Sequence, residues 1–254
     1  MSSYAYSKKT THEIVITSFT PSNPILRGLS SNPQLRITIH IPEGVAEVNY
    51  RKIKCSINSE AVAMIQDIDI FMPNTETFSA TKKVASVNSV SKEFDIPVDL
   101  HLNPGTYHIW LSVILKDDAN INKDIEMHCT EIIAADNTSK KIIESGNSYK
   151  KQTGVAIRKA GDDSVNTYRI PGLLTTNKGT LLAVYDIRYN NSGDLPNNID
   201  VGMSRSTNGG KTWEPMKVIM DMGAPHEQKG IGDPSILFDP VTKKKWEAGL
   251  GGRG

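Results

Sequence analysis

The chain has 254 residues, long enough for one large domain or two ordinary ones. Its 29 Lys and Arg stand against 28 Asp and Glu, a net charge of +1, which excludes a global field steering it to nucleic acid or an anionic membrane. No apolar run approaches the roughly 18–20 residues of a membrane-spanning helix, and the start, Met1 to Lys9, has no apolar stretch to read as a signal peptide.

The first half reads as strands. His12–Phe19 comes first. Leu35, Ile37, Ile39 and Ile41 then alternate with Arg36, Thr38 and His40, the period-2 pattern of a half-buried strand. Val48–Ile57, Asp67–Met72, Thr106–Leu115 and Met127–Ile133 follow, with Asn103-Pro104-Gly105 a strong turn signal before the third of these runs. Short strands spaced by turns over about 135 residues predict a β-sandwich, and no helical period of useful length interrupts them. Cys55 and Cys129 permit one disulfide across this half and equally fit buried free thiols in a β core.

Between Ala134 and Tyr149 the composition turns polar, and this sets an expected boundary with domains at 1–150 and 151–254. A second β pattern follows: Val155–Arg158, a loop over Ala160–Asn166, then strands Arg169–Thr175, Thr180–Arg188, Ile199–Ser206 and Lys217–Asp221. Four successive strands with short turns would make one blade of a β-propeller.

This second pattern carries the chemistry. Pro171 is expected to keep the backbone at Arg169 extended, so that its planar fork can meet a carboxylate in a bidentate contact. The apolar run Leu181 to Tyr185 empties into Asp186, Arg188, Tyr189, Asn190 and Asp194, placing polar groups at a sheet mouth. Asp194, on a loop between Gly193 and Leu195, suits general acid/base work if burial raises its pKa. Ser206-Thr207-Asn208-Gly209-Gly210-Lys211-Thr212-Trp213 reads as a structural turn: the glycines supply positive φ, Ser206 and Thr212 bond across it, and Trp213 packs between strands.

Taken together, Arg169-Ile170-Pro171 and the Ser206-x-Asn208-x-Gly210-x-Thr212-Trp213 box resemble the bacterial exo-α-sialidases (neuraminidases), with Asn208 where the box usually has Asp. The β-rich segment before them is similar to the sandwich that precedes the propeller in Bacteroides-type sialidases. The resemblance implies an all-β fold: an N-terminal sandwich followed by the first one to two blades of a six-bladed propeller, incomplete here. It implies hydrolysis of terminal sialic acid from glycoconjugates with retention, by a tyrosine nucleophile and without a metal or other cofactor. By position, Arg169 resembles one arginine of a carboxylate clamp, Arg188 an accessory arginine near the sugar, Asp194 the acid/base aspartate and Asp233 a pocket aspartate contacting ring substituents. The partners implied are sialylated glycans, and the location implied is periplasmic or extracellular.

From Val155 to Gly254 there is room for two blades at most, at roughly 40–50 residues per blade. No residue can be assigned as the nucleophilic tyrosine, its glutamate or the other two clamp arginines; Tyr168, Tyr185 and Tyr189 are in the wrong places. The chain alone is therefore expected to be inactive. The Gly-rich tail Glu247 to Gly254 has neither strand propensity nor alternation, and reads as a truncated or frame-shifted end. An alternative reading is a carbohydrate-binding module in the first domain, with Tyr50, Phe78, Tyr107 and Trp110 available to stack on sugar, although Tyr107 and Trp110 lie in an apolar strand. A further alternative is a non-enzymatic propeller built on such boxes.

Overall fold

The structure, a computed structural model, describes residues 13–146, 150–223 and 229–253. His12, expected at the head of the first strand, and the start Met1 to Lys9 lie outside the described residues. The chain divides into two compact units between Val155 and Ala156.

The first unit is built of β1 (Val15–Phe19), β2 (Ile25–Arg27), β3 (Pro33–Ile41), β4 (Val48–Ile57), a single helical turn α1 (Ser59–Val62), β5 (Ile65–Phe71) and β6 (Lys83–Val87). It continues through β7 (Glu93–Leu102), β8 (Gly105–Leu115), β9 (Met127–Ala134), β10 (Ser139–Lys141), β11 (Ile143–Glu144) and β12 (Thr153–Val155). A six-stranded sheet runs β11-β1-β3-β8-β5-β6 and a four-stranded sheet runs β10-β9-β4-β7. Their inner faces share one apolar core. Ile37, Ile39, Ile109 and Leu111 come from the first sheet, and Ile53, Ile96, Leu100 and Ile132 from the second. Each of these is buried because period-2 alternation sends it inward.

β6 and β7 are strands that the sequence reading did not include. β7 alternates exposed and buried at every position. Its Pro97 donates no ladder hydrogen bond, which the sheet tolerates because β7 is an edge strand. β12 pairs in parallel with β2 and ends at Val155, so the strand expected over Val155–Arg158 does not form beyond its first residue.

The second unit holds a short 3-10 turn (Asp162–Ser164), then β13 (Thr167–Thr175), β14 (Leu181–Arg188), β15 (Ile199–Ser206) and β16 (Lys217–Met220), paired antiparallel in chain order. β17 (Lys229–Phe238) and β18 (Lys245–Arg253) form a separate antiparallel hairpin, and β17 packs against β13, β14 and β15. β14, the most apolar strand, is therefore buried at every position after Leu181.

The tail expected to lack strand structure is β18. Its backbone ladder with β17 needs no side chains, and its glycines allow close approach. A Cβ on Gly249 would sit 2.9 Å from Ile231 Cγ1, and one on Gly252 would sit 3.1 Å from Leu195 Cβ.

Lys151 is a buried cation of the first unit, 2% exposed, and its Nζ donates only to the neutral acceptors Pro33 O at 2.8 Å and Asn23 Oδ1 at 3.3 Å among its described bonds. Burial pulls its pKa down to about 7. The folded value lies below the unfolded one, so between about pH 7 and 10 the unfolded chain binds the extra proton and this lysine's contribution to stability rises with pH, by up to about 1.4 kcal/mol per pH unit. Lys151→Met is expected to be more stable than wild type at pH 7, with the gap narrowing by pH 9 in urea unfolding; a gap independent of pH would contradict this.

Candidate functional site

The polar groups at the end of β14 converge because residues two apart on a strand share a face. Asp186 and Arg188 are both buried, 1% and 2% exposed at the side chain. Arg188 donates from Nε and Nη2 to Asp186 Oδ2, at 3.1 and 2.8 Å. The other oxygen, Asp186 Oδ1, accepts the backbone N–H of Asp233 at 2.8 Å. One carboxylate thus ties the arginine to the hairpin strand β17.

The remaining face of Arg188 closes the loop after β14. Its Nη1 donates to Ser192 O and Gly193 O, each at 2.8 Å, and to Asp194 Oδ1 at 2.6 Å. Arg169 reaches the same loop from β13, with Nη1 3.1 Å from Ser192 O and 3.3 Å from Asp194 Oδ1. Two guanidinium groups therefore meet on one carboxylate oxygen. Arg169 is 42% exposed at its side chain, so one of its faces remains open to solvent.

The backbone that aims these groups is irregular. Ile170 has φ of 52° and the ladder shifts register between Arg169 and Gly172. Pro171 therefore does not hold an extended run at Arg169, as the sequence reading expected; a bulge turns the arginine toward the loop. Asp233 repeats this device, with φ of 53° and a register shift between Gly232 and Ser235. Gly232 is tightly enclosed: a Cβ would lie 3.1 Å from Asp186 Oδ1, so the carboxylate would have to give by a few tenths of an ångström. A cavity of about 180 Å³ opens among Asp186, Arg188, Asp194, Leu195, Ile199, Gly232, Asp233 and Leu250.

Electrostatics separate the acids. Asp194 is exposed, and its hydrogen bond and charge interaction with Arg188, with Arg169 adding to them, hold its carboxyl below the usual range. The condition attached to its acid/base role, a pKa raised by burial, is not met in this arrangement: Asp194 is an ionised partner of two arginines. For Arg188, burial alone would lower the pKa, but hydrogen bonds and charge interactions with Asp186 and Asp194 leave it raised.

The tyrosines flanking the site are occupied. Tyr168 Oη donates to Asp162 O and Asp163 Oδ2, Tyr189 Oη donates to Asp200 Oδ2, and Tyr185 Oη pairs with Ser204 Oγ. Burial, first among the causes, raises all three pKa values, so none is poised as a phenolate.

The Ser206–Trp213 turn is self-contained. Asn208 Oδ1 accepts from Ser206 Oγ and from Thr212 N, both at 3.0 Å, and its Nδ2 donates to Thr212 Oγ1 at 2.8 Å. Gly210 N donates to Ser206 Oγ at 3.0 Å, and Gly209 and Gly210 carry φ of 70° and 81°. Trp213 packs on the small core of Val165, Ala183, Tyr185 and Ile187. Ile199 lines the cavity at one end of β15 and Ser206 closes the other end, roughly 23 Å away along the strand. The aromatics proposed for sugar stacking in the first unit are not presented as a platform. Tyr50 and Trp110 are buried, and Trp110 meets Phe78 edge-on and holds Arg36 over its face.

Asp186 was mentioned in the sequence only as part of a polar strand end, although its spacing of two from Arg188 was a usable signal. Its removal leaves a buried guanidinium facing an exposed carboxylate. Asp186→Ala is expected to cost about 3–5 kcal/mol in urea unfolding, while Asp186→Leu combined with Arg188→Met costs far less. Equal losses for the single and double changes would contradict the pairing.

The profile of the N-terminal domain of BNR-repeat neuraminidase matches residues 12–138, half of the 254-residue chain. The sialidase of Bacteroides fragilis strain YCH46 is 40% identical over 168 residues, covering 65% of this chain and 31% of that protein. The sialidase of Micromonospora viridifaciens is 39% identical over 82 residues, 32% of this chain and 12% of that protein. Among solved structures, the Hadza microbial sialidase Hz136 superposes with a TM-score of 0.75 at 27% identity, covering 91% of this chain and 50% of that one. The chain thus spans about a third of the length of the Bacteroides sialidase it matches. It belongs to the BNR-repeat neuraminidase (sialidase) family.

Proposed function

We propose that the second unit is the start of a catalytic β-propeller and supplies part of an exo-α-sialidase site acting on sialylated glycans with retention. The observation that carries this reading is the convergence of Arg169 and Arg188 on one carboxylate oxygen in a chain of this family. β13–β16 form one blade, the Ser206–Trp213 turn is its Asp-box with Asn208 in the acidic position, and β17–β18 begin the next. The first unit is the accompanying sandwich domain. We place the working protein in the periplasm or outside the cell.

In this reading the open face of Arg169 takes the sugar carboxylate, while Arg188 and Asp233 border the ring substituents. A bound carboxylate competes with Asp194 for Arg169 and places a second negative charge beside it. Both effects raise the Asp194 pKa toward the range of a general acid. The substrate thus prepares its own proton donor. At about 180 Å³ the cavity is smaller than the roughly 300–1,000 Å³ of complete small-molecule sites, in keeping with a partial site. The nucleophile and the other clamp arginines fall to further blades in a full-length parent.

Two assays test the reading on the 254-residue chain. Ligand-observed NMR should detect weak binding of N-acetylneuraminic acid that falls about tenfold or more in Arg169→Ala and is absent for the methyl ester. A fluorogenic sialoside should not be hydrolysed by the chain alone. Binding indifferent to Arg169 or to the free carboxylate would overturn the clamp assignment, and turnover would overturn the partial site.

A further inference from the structure

Cys55 and Cys129 lie 74 positions apart in sequence and directly opposite one another in space, at matched register on β4 and β9. Their Sγ atoms are 2.6 Å apart, and each residue is 4% exposed. Both belong to the inner, apolar face of the four-stranded sheet. Directly opposed residues of an antiparallel pair have Cα atoms about 4.5–5.5 Å apart, inside the roughly 4.4–6.8 Å that a disulfide spans. The register shift between Lys54 and Cys55 sets this pair and lets both side chains face inward. Nothing in the proposed sialidase chemistry uses either sulfur.

We propose that Cys55 and Cys129 are a disulfide-forming pair, oxidised by a small-molecule disulfide or a dithiol–disulfide oxidoreductase as the first unit folds. One cysteine thiolate attacks a sulfur of the oxidant's disulfide, expels one thiolate and leaves a mixed disulfide. The second cysteine thiolate attacks the protein sulfur of that mixed disulfide and expels the other oxidant thiolate. The two protein thiols lose two electrons and two protons, and the oxidant is reduced to two thiols.

The timing follows from burial. In the closed sheet the Cys55 thiol is held protonated, chiefly by desolvation and then by its contact with Cys129, and little solvent reaches either sulfur. Exchange therefore belongs to the folding chain, before β4 and β9 close over the core. The bond would staple more than two neighbouring strands. The ring it closes contains β5, β6 and β8 of the six-stranded sheet and β7 of the four-stranded sheet, so both layers are tied by one crosslink. A ring of that size removes much of the freedom of the unfolded chain.

The test refolds the 254-residue chain from urea in a buffer of reduced and oxidised glutathione, then alkylates it with iodoacetamide in denaturant and measures its intact mass. The expected product is about 2 Da lighter than the reduced chain, carries no alkyl group or glutathione, and melts roughly 10 °C above the same chain reduced with dithiothreitol. Cys129→Ala should gain no such increment in Tm from the same buffer. Alkylation of both cysteines in the folded, oxidant-treated chain would overturn the proposal. So would glutathione remaining on either cysteine, or a bridged chain that melts no higher than the reduced one.

Discussion

The Arg188 guanidinium is taken out of water at the end of the most apolar strand in the second unit, and the surrounding architecture compensates for that removal. A buried cation of this kind is tolerated only when opposite charge and hydrogen-bond acceptors surround it. Asp186 supplies the charge from the same strand. The carbonyls of Ser192 and Gly193 supply acceptors from the loop, and Asp194 completes the set at the solvent edge. The loop conformation is thus set by an arginine that needs its carbonyls. Asp186 in turn holds the Asp233 backbone, so its carboxylate joins the hairpin to the four-stranded sheet.

Placing charges this closely demands an irregular backbone. Ile170 and Asp233 both take positive φ just before a proline, and both sit at register shifts. Such conformations cost of order 1–3 kcal/mol each and persist where neighbouring contacts fix them. Arg169 therefore reaches the loop, and Asp233 the Asp186 carboxylate, from two different strands through the same local device. Gly232, with Asp186 against the space a Cβ would fill, has the same origin.

The parts of the molecule that were legible in the sequence are those whose bonding is local. The Ser206–Trp213 turn closes within eight residues, and its hydrogen bonds could be anticipated from residue types alone. The alternation in β3 and the apolar run of β14 marked those strands directly. Arg169 and Asp194 stand out by their own chemistry and Arg188 and Asp233 by a resemblance, while Asp186, which ties Arg188 to Asp233, shows in the sequence only as part of a polar strand end. One of its two oxygens bonds a residue 47 positions later, which no local pattern reveals. β7 was missed although its alternation is unbroken, because Pro97 at its centre argues against a strand until its edge position is known. The Gly-rich β18 was misread for a related reason. Propensity counts glycine against a strand, whereas the Ile231 and Leu195 side chains crowd the space a Cβ would take at Gly249 and Gly252.

In the free chain Asp194 pairs with both arginines, and under the proposed function a substrate carboxylate competes with it for Arg169. This competition is tested most directly by following the Asp194 carboxyl carbon by NMR through a pH titration, with and without N-acetylneuraminic acid. The account predicts a pKa below the usual carboxylate range in the free chain, rising when the ligand is present and no longer rising in Arg169→Ala. An ordinary pKa in the free chain, or one that ignores the ligand, would contradict it.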